Sequence, residues 1–161
     1  MVASAFLVAW TVLAEPPVKL GTGARMCAAL TAADFKAVGL SPDAVAPRPP
    51  NSTEPGGAYC TYTKAWVKDG GIEFDMFDAG ADAKATVATI LGDAGPAQPG
   101  GLSGVEESLL NLSADAGGTV KHAFLVVRDK GLVFTIAIPT GVRAKEQLFA
   151  LARLVLARVK H

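Results

Sequence analysis

The sequence predicts an α+β fold: a curved antiparallel sheet of about five strands packed against two to three helices, in a single domain. Three observations carry this. Ile72-Glu-Phe-Asp-Met76 alternates apolar and polar residues, the period of a half-buried strand. Gly-containing turns at Asp69-Gly70-Gly71 and Asp129-Lys130-Gly131 join such segments, and strands joined by tight turns run antiparallel. Near the end of the chain, Leu148, Leu151, Ala152, Val155 and Val159 recur at helical spacing. The 161 residues are 50% apolar, enough to build one core.

The elements follow in order. Thr31-Ala-Ala-Asp34 is a capping-box variant with Asp in the usual Glu position. It opens a short helix with Phe35 and Val38 on its apolar side and Gly39 at its end. Residues 41–57 carry Pro47, Pro49, Pro50 and Pro55, which forbid regular structure across most of that stretch. Residues 58–67 are rich in Tyr and Thr and read as a strand, followed by 72–76. Residues 82–91 form a helix with Val87, Ile90 and Leu91 inside, and 92–101 is a Gly/Pro loop. Three strands follow at 107–112, 120–127 and 132–138, then a long helix over 142–159. Helices covering one face of the sheet give the simplest closure.

The N-terminus speaks to location. Residues 1–14 are apolar and uncharged, and too short for an ordinary membrane-spanning helix of roughly 20 residues. Val12 and Ala14 fit the small-residue positions before a signal-peptidase cut. The expectation is a signal peptide over 1–14, an extended leader over 15–26 and the domain over 27–161. No Lys or Arg precedes the apolar run, which fits a true start upstream. The alternative is a buried N-terminal element of the domain. Export implies a secreted, periplasmic or cell-envelope protein with no stable membrane span after signal removal.

Cys27 and Cys60 are the two cysteines, and in an exported chain they most economically form one disulfide. The alternative is two separate buried thiols. Neither sits in a Cys-x-x-Cys motif, so redox chemistry is not indicated. Arg25 and Met26 spoil a lipid-attachment site at Cys27.

The phrase Cys27-Ala-Ala-Leu-Thr-Ala-Ala-Asp-Phe, with Gly39 after it, resembles the opening of DUF3558-type small exported bacterial proteins. Their second cysteine lies in a Cys-Thr-Tyr/Trp strand, matched here by Cys60-Thr61-Tyr62. Val126-Val-Arg-Asp-Lys-Gly131 and the Leu/Ala-rich closing helix are similar too. Ala29 stands where Leu is usual. The resemblance implies an exported location and a disulfide, and brings no catalytic residues.

The composition argues against several functions. Fifteen basic and fifteen acidic side chains leave no net charge, which argues against nucleic-acid binding. No catalytic set stands out. His122 lies in a strand and no Gly-x-Ser-x-Gly elbow occurs. Glu73, Asp75 and Asp78 offer oxygens to a hard cation but belong to a regular strand, and a solvated sheet face is favoured over a metal site. Glu106 and Glu107 point to opposite faces of a strand, poor geometry for shared acid/base work. No glycine run forms a nucleotide fingerprint, so no cofactor is expected. Asn51-Ser-Thr53 and Asn111-Leu-Ser113 match a glycosylation pattern that arises often by chance.

Aromatic residues supply the positive signal. Tyr59, Tyr62 and Trp66, with Asn51 of the Pro-rich loop, form the candidate binding surface, flanked by loop 92–101. Core packing is the alternative for Trp66. The function expected is a non-catalytic binding module for a small molecule, envelope component or protein partner. A small extracytoplasmic hydrolase is the alternative. An apolar groove with few titratable groups would mark the first; convergent polar groups around His122 or the 73–78 carboxylates would mark the second.

Overall fold

The computed structural model describes residues 26–41, 57–62, 71–114, 120–139 and 141–159. The expected signal peptide, most of the leader, most of the Pro-rich loop, the 69–70 turn, Asn51 and Trp66 lie outside the described residues. Met26, expected to close the leader, is helical and buried.

Six antiparallel strands form one sheet: β1 (Gly57–Thr61), β2 (Glu73–Asp78), β3 (Gln98–Pro99), β4 (Glu107–Ala114), β5 (Val120–Asp129) and β6 (Leu132–Pro139). Among the described residues three helices accompany them, besides the helical residues 26–27: α1 (Ala32–Ala37), α2 (Ala83–Ala94) and α3 (Ala144–Arg158). The sheet order is β1-β2-β6-β5-β4-β3. After β2 the chain passes through a 3-10 turn and α2, and reaches the far edge at β3. It then returns through the β4-β5-β6 meander until β6 closes against β2.

This path puts helices on both faces, which corrects the one-face expectation. Leu132, Phe134, Ile136 and Ile138 of β6 point into the main core with Leu148, Leu151, Ala152 and Val155 of α3. Val133 of the same strand points the other way, into a smaller cluster with Phe77, Val87, Phe124 and Val126. Strand side chains alternate between faces, so a crossover over the second face must bury residues from the opposite phase. α2 does so with Ala83 and Val87, and with Ile90 and Leu91 half-buried beside them. The pattern along β6 is therefore nearly continuous burial, not simple alternation.

Lys130 and Gly131 form the two-residue turn between β5 and β6, with φ of 47° and 80°. Two consecutive positive φ values suit the twist of a tight hairpin, and Gly supplies one without steric cost. Gly131 is also a packing site. Its carbonyl accepts from the N–H groups of Ala79 and Gly80 at 3.0 and 2.9 Å. A Cβ on Gly131 would sit 3.0 Å from the Gly80 Cα. The hairpin tip thereby anchors the start of the crossover.

β3 was expected as part of a loop and is a two-residue strand instead. Nothing local favours it, since Pro99 lacks an N–H. Pairing with Leu109 and Leu110 of β4 imposes its extended form.

Candidate functional site

The segment 26–40 is held to the first face by links of several kinds. Cys27 and Cys60 form a disulfide with a Cα–Cα distance of 5.5 Å. Thr31 and Asp34 make the expected capping box: the Thr31 N–H and hydroxyl donate to Asp34 Oδ2 at 2.7 and 2.8 Å, and the Asp34 N–H donates to Thr31 Oγ1 at 3.4 Å. Asp34 also accepts from Arg158 of α3, through Nη1 at 2.6 Å and Nη2 at 2.9 Å. Arg158 Nη1 further donates to the Ala29 carbonyl at 3.0 Å. Gln147 Nε2 donates to the Val38 carbonyl at 2.9 Å. Burial would raise the Asp34 carboxyl, but the bidentate guanidinium and the Thr31 donors hold it below its ordinary value.

Tyr62, one of the four candidate surface residues, belongs to this anchor. It is buried, its ring packs 4.7 Å from that of Phe35, and its hydroxyl donates to the carbonyls of Leu30 at 2.6 Å and Cys27 at 3.2 Å. Burial, with Asp34 nearby, pushes its phenol up. The side chain is spent on packing and offers no open surface. Tyr59 lies in β1 opposite Asp75 of β2. Trp66 and Asn51 lie outside the described residues, so the structure does not bring the four together.

Asp75, Glu106 and Glu107 have polar partners on neighbouring strands. Asp75 Oδ2 accepts from Thr135 Oγ1 at 3.1 Å. Glu106 and Glu107, expected on opposite faces, both clamp Arg128, the latter through Nε at 3.0 Å, because Glu106 precedes β4 and escapes its alternation. The Arg128 backbone stands opposite Glu107 in the β4-β5 register. His122 is half-buried on β5, opposite Ser113 and Pro139, with its ring 6.4 Å from that of Phe124. Among the described residues no three His, Cys, Asp or Glu side chains gather into a metal-binding group.

A cleft opens at the other side of the molecule. It has a volume of about 350 Å³ and is lined by Pro96, Ala97, Gln98, Leu110, Asn111 and Leu112. Three consecutive residues of β4 line it. Consecutive strand residues face opposite ways, so the cleft runs along the edge of the strand, beside its backbone. Leu110 and Asn111 are buried, whereas Leu112 is 45% exposed, one of two large apolar side chains so exposed among the described residues. Gly100 holds the loop against β4: its N–H donates to the Ser108 carbonyl at 2.8 Å, and a Cβ there would lie 3.0 Å from Ser108 Oγ. That hydroxyl accepts from the Leu102 N–H at 3.0 Å.

Loop 92–101 was expected to flank the binding surface, and part of it lines this cleft. Leu110, Asn111 and Leu112 were not singled out from the sequence as site residues. The available signal was Leu112, apolar in a strand whose neighbours have burial partners, but its exposure emerges only once β3 proves too short to cover it. No ionisable side chain lines the cleft; its lining is apolar side chains with the amides of Gln98 and Asn111. No helix among the described residues is long and apolar enough to cross a membrane. Comparison with known proteins finds no matching family model, no matching curated protein and no matching solved structure.

Proposed function

We propose that this chain is an exported, non-catalytic binding module that holds its ligand in the cleft beside β4. The observation that carries the reading is the lining of that cleft: leucines, Pro96 and Ala97 with two side-chain amides, and no titratable group. Such a lining binds by shape, apolar burial and a few oriented hydrogen bonds. Catalysis of proton or acyl transfer needs an acid, base or nucleophile in reach of the ligand. His122 and the 73–78 carboxylates are not among the residues lining this cleft.

Export is supported by the disulfide, since such bonds persist in oxidising compartments. The apolar 1–14 segment and the resemblance to small exported bacterial proteins point the same way. N-terminal sequencing of material recovered outside the cytoplasm should start near Glu15, and a retained Met1 would refute the signal peptide.

Binding is tested by titrating neutral apolar fragments against the 15N-labelled protein. Amide shifts should concentrate at 96–98 and 110–112, and Leu112→Lys should weaken them at least tenfold. Shifts confined to residues around His122 or Asp75 would overturn the choice of site.

A further inference from the structure

Cys60 lies in β1 and Tyr62 stands two positions on, so both side chains turn to one face, into the main core. The sheet fixes both of them. Cys60 stands opposite Phe74 of β2, and the Tyr62 N–H donates to the Ile72 carbonyl at 2.9 Å. From this one face two side chains grip the same residue. The Cys60 sulfur is bonded to that of Cys27, and the Tyr62 hydroxyl donates to the Cys27 carbonyl at 3.2 Å. That hydroxyl proton is shared with the Leu30 carbonyl, the shorter contact at 2.6 Å.

The rest of the segment is docked without the help of sulfur. Met26, Leu30 and Phe35 are buried in the main core, and the Phe35 ring packs on that of Tyr62. Arg158 of α3 donates to Asp34 and to the Ala29 carbonyl, and Gln147 donates to the Val38 carbonyl. These contacts bracket Cys27 and extend well past it. All are non-covalent, so a chain whose cysteines are still thiols can make them too.

We propose that Tyr62 is a positioning residue for the cysteine pair: the reduced chain keeps 26–40 docked with Cys27 held over Cys60, and the disulfide locks a geometry already set by non-covalent contacts. The fold is then the same in either redox state, and the bond adds stability to it rather than shape. Closure is a thiol–disulfide exchange with a small-molecule disulfide such as oxidised glutathione. One thiolate displaces a glutathione thiol to give the mixed disulfide, and the second cysteine displaces the other. The two cysteines lose two electrons and two protons, and the glutathione disulfide gains both. The position of this equilibrium depends on how closely the docked segment holds the two thiols, whatever route the exchange takes.

The test compares the reduced and oxidised full chain. In the reduced parent, exchange should stay slow at the Val38 and Leu40 amides, which donate to the Asp34 and Phe35 carbonyls. Nuclear Overhauser contacts from the Tyr62 ring to Cys27 and Leu30 should persist. Exchange at those amides as fast as in an unfolded chain, or loss of the Tyr62 contacts, would overturn the proposal without any variant. The effective concentration of the two thiols is then measured in glutathione redox buffers with acid quenching. Tyr62→Phe keeps the ring and removes the hydroxyl, and should lower that concentration about fivefold, the worth of one net hydrogen bond. A hydroxyl that merely stabilises the fold would weaken both redox forms alike and leave the effective concentration unmoved, which would overturn the positioning role. Val87→Ala, in the cluster on the other face, is the control and should leave it unmoved. An equal fall in that variant would show that the measurement follows global stability and would overturn the assignment to Tyr62.

Discussion

The two ends of the sheet are built on opposite plans. At the β1 end, a segment of about fifteen residues is tied down by a disulfide, a bidentate ion pair, a capping box and a buried tyrosine hydroxyl. At the β4 end, two residues of β3 and one close-packed glycine do the covering, and an exposed leucine is left beside a cleft. The difference teaches where each end gets its order. The segment 26–40 buries Met26, Leu30 and Phe35 in the main core, and the specific links add to that packing. The far edge takes its order from the ladder of β4 with β5 and from the short pairing with β3.

The largest expected effect breaks the first plan. Replacing both Cys27 and Cys60 by Ser releases a closed loop with a sequence separation of 33 residues. It should lower the unfolding free energy in urea by about 3–4 kcal/mol. Ligand shifts at the β4 cleft should survive wherever the variant remains folded. Loss of the cleft in a folded variant would show that the two ends are coupled.

The next effect separates the two faces. Leu151→Ala, in the main core, should cost about 3 kcal/mol, whereas Val87→Ala, under the crossover helix, should cost about 1 kcal/mol. Equal costs would mean that the second face is as tightly packed as the first.

Asp34→Ala should cost about 2 kcal/mol by removing the cap and leaving Arg158 without its carboxylate. The pH dependence has a defined sign. The folded carboxyl lies below its ordinary 3.8, so its contribution is complete above that value and is lost as pH falls through the folded one. Unfolding curves of the parent protein should turn down in this acid window, and those of Asp34→Ala should turn down less. Tyr62 supplies the opposite limb. Its folded phenol lies above the ordinary 10.0, so its contribution is complete below pH 10 and is lost as pH rises beyond it. Tyr62→Phe should flatten that alkaline limb and cost about 1 kcal/mol in hydrogen bonding at neutral pH.

The smallest stability effect belongs to the open edge. Leu112→Lys should change stability by no more than about 0.5 kcal/mol, because the side chain is exposed. A cost of several kcal/mol would show that Leu112 is covered in solution and that the edge is closed.

Most of the architecture was legible in the chain. Ile72, Phe74 and Met76 reveal their strand by period, Lys130-Gly131 by turn chemistry, and Thr31 with Asp34 by capping, because each signal is local. The disulfide was legible as well, from thiol count and the apolar N-terminus. The candidate site was legible in part: loop 92–101 was singled out, while Tyr62 was assigned to a surface and is buried. Its hydroxyl finds partners at Leu30 and Cys27, more than thirty residues away, and no local pattern announces such a contact.

The sequence by itself determined the α+β class, the capping box of the first helix, the Lys130-Gly131 turn and the cysteine pair, because backbone preference and hydrophobic period act over a few residues. Tertiary structure alone decided which face α2 covers, that Gln98 and Pro99 form a strand, and that Leu112 stays exposed. Those outcomes depend on which strands become neighbours, and that is settled by burial summed over the whole sheet.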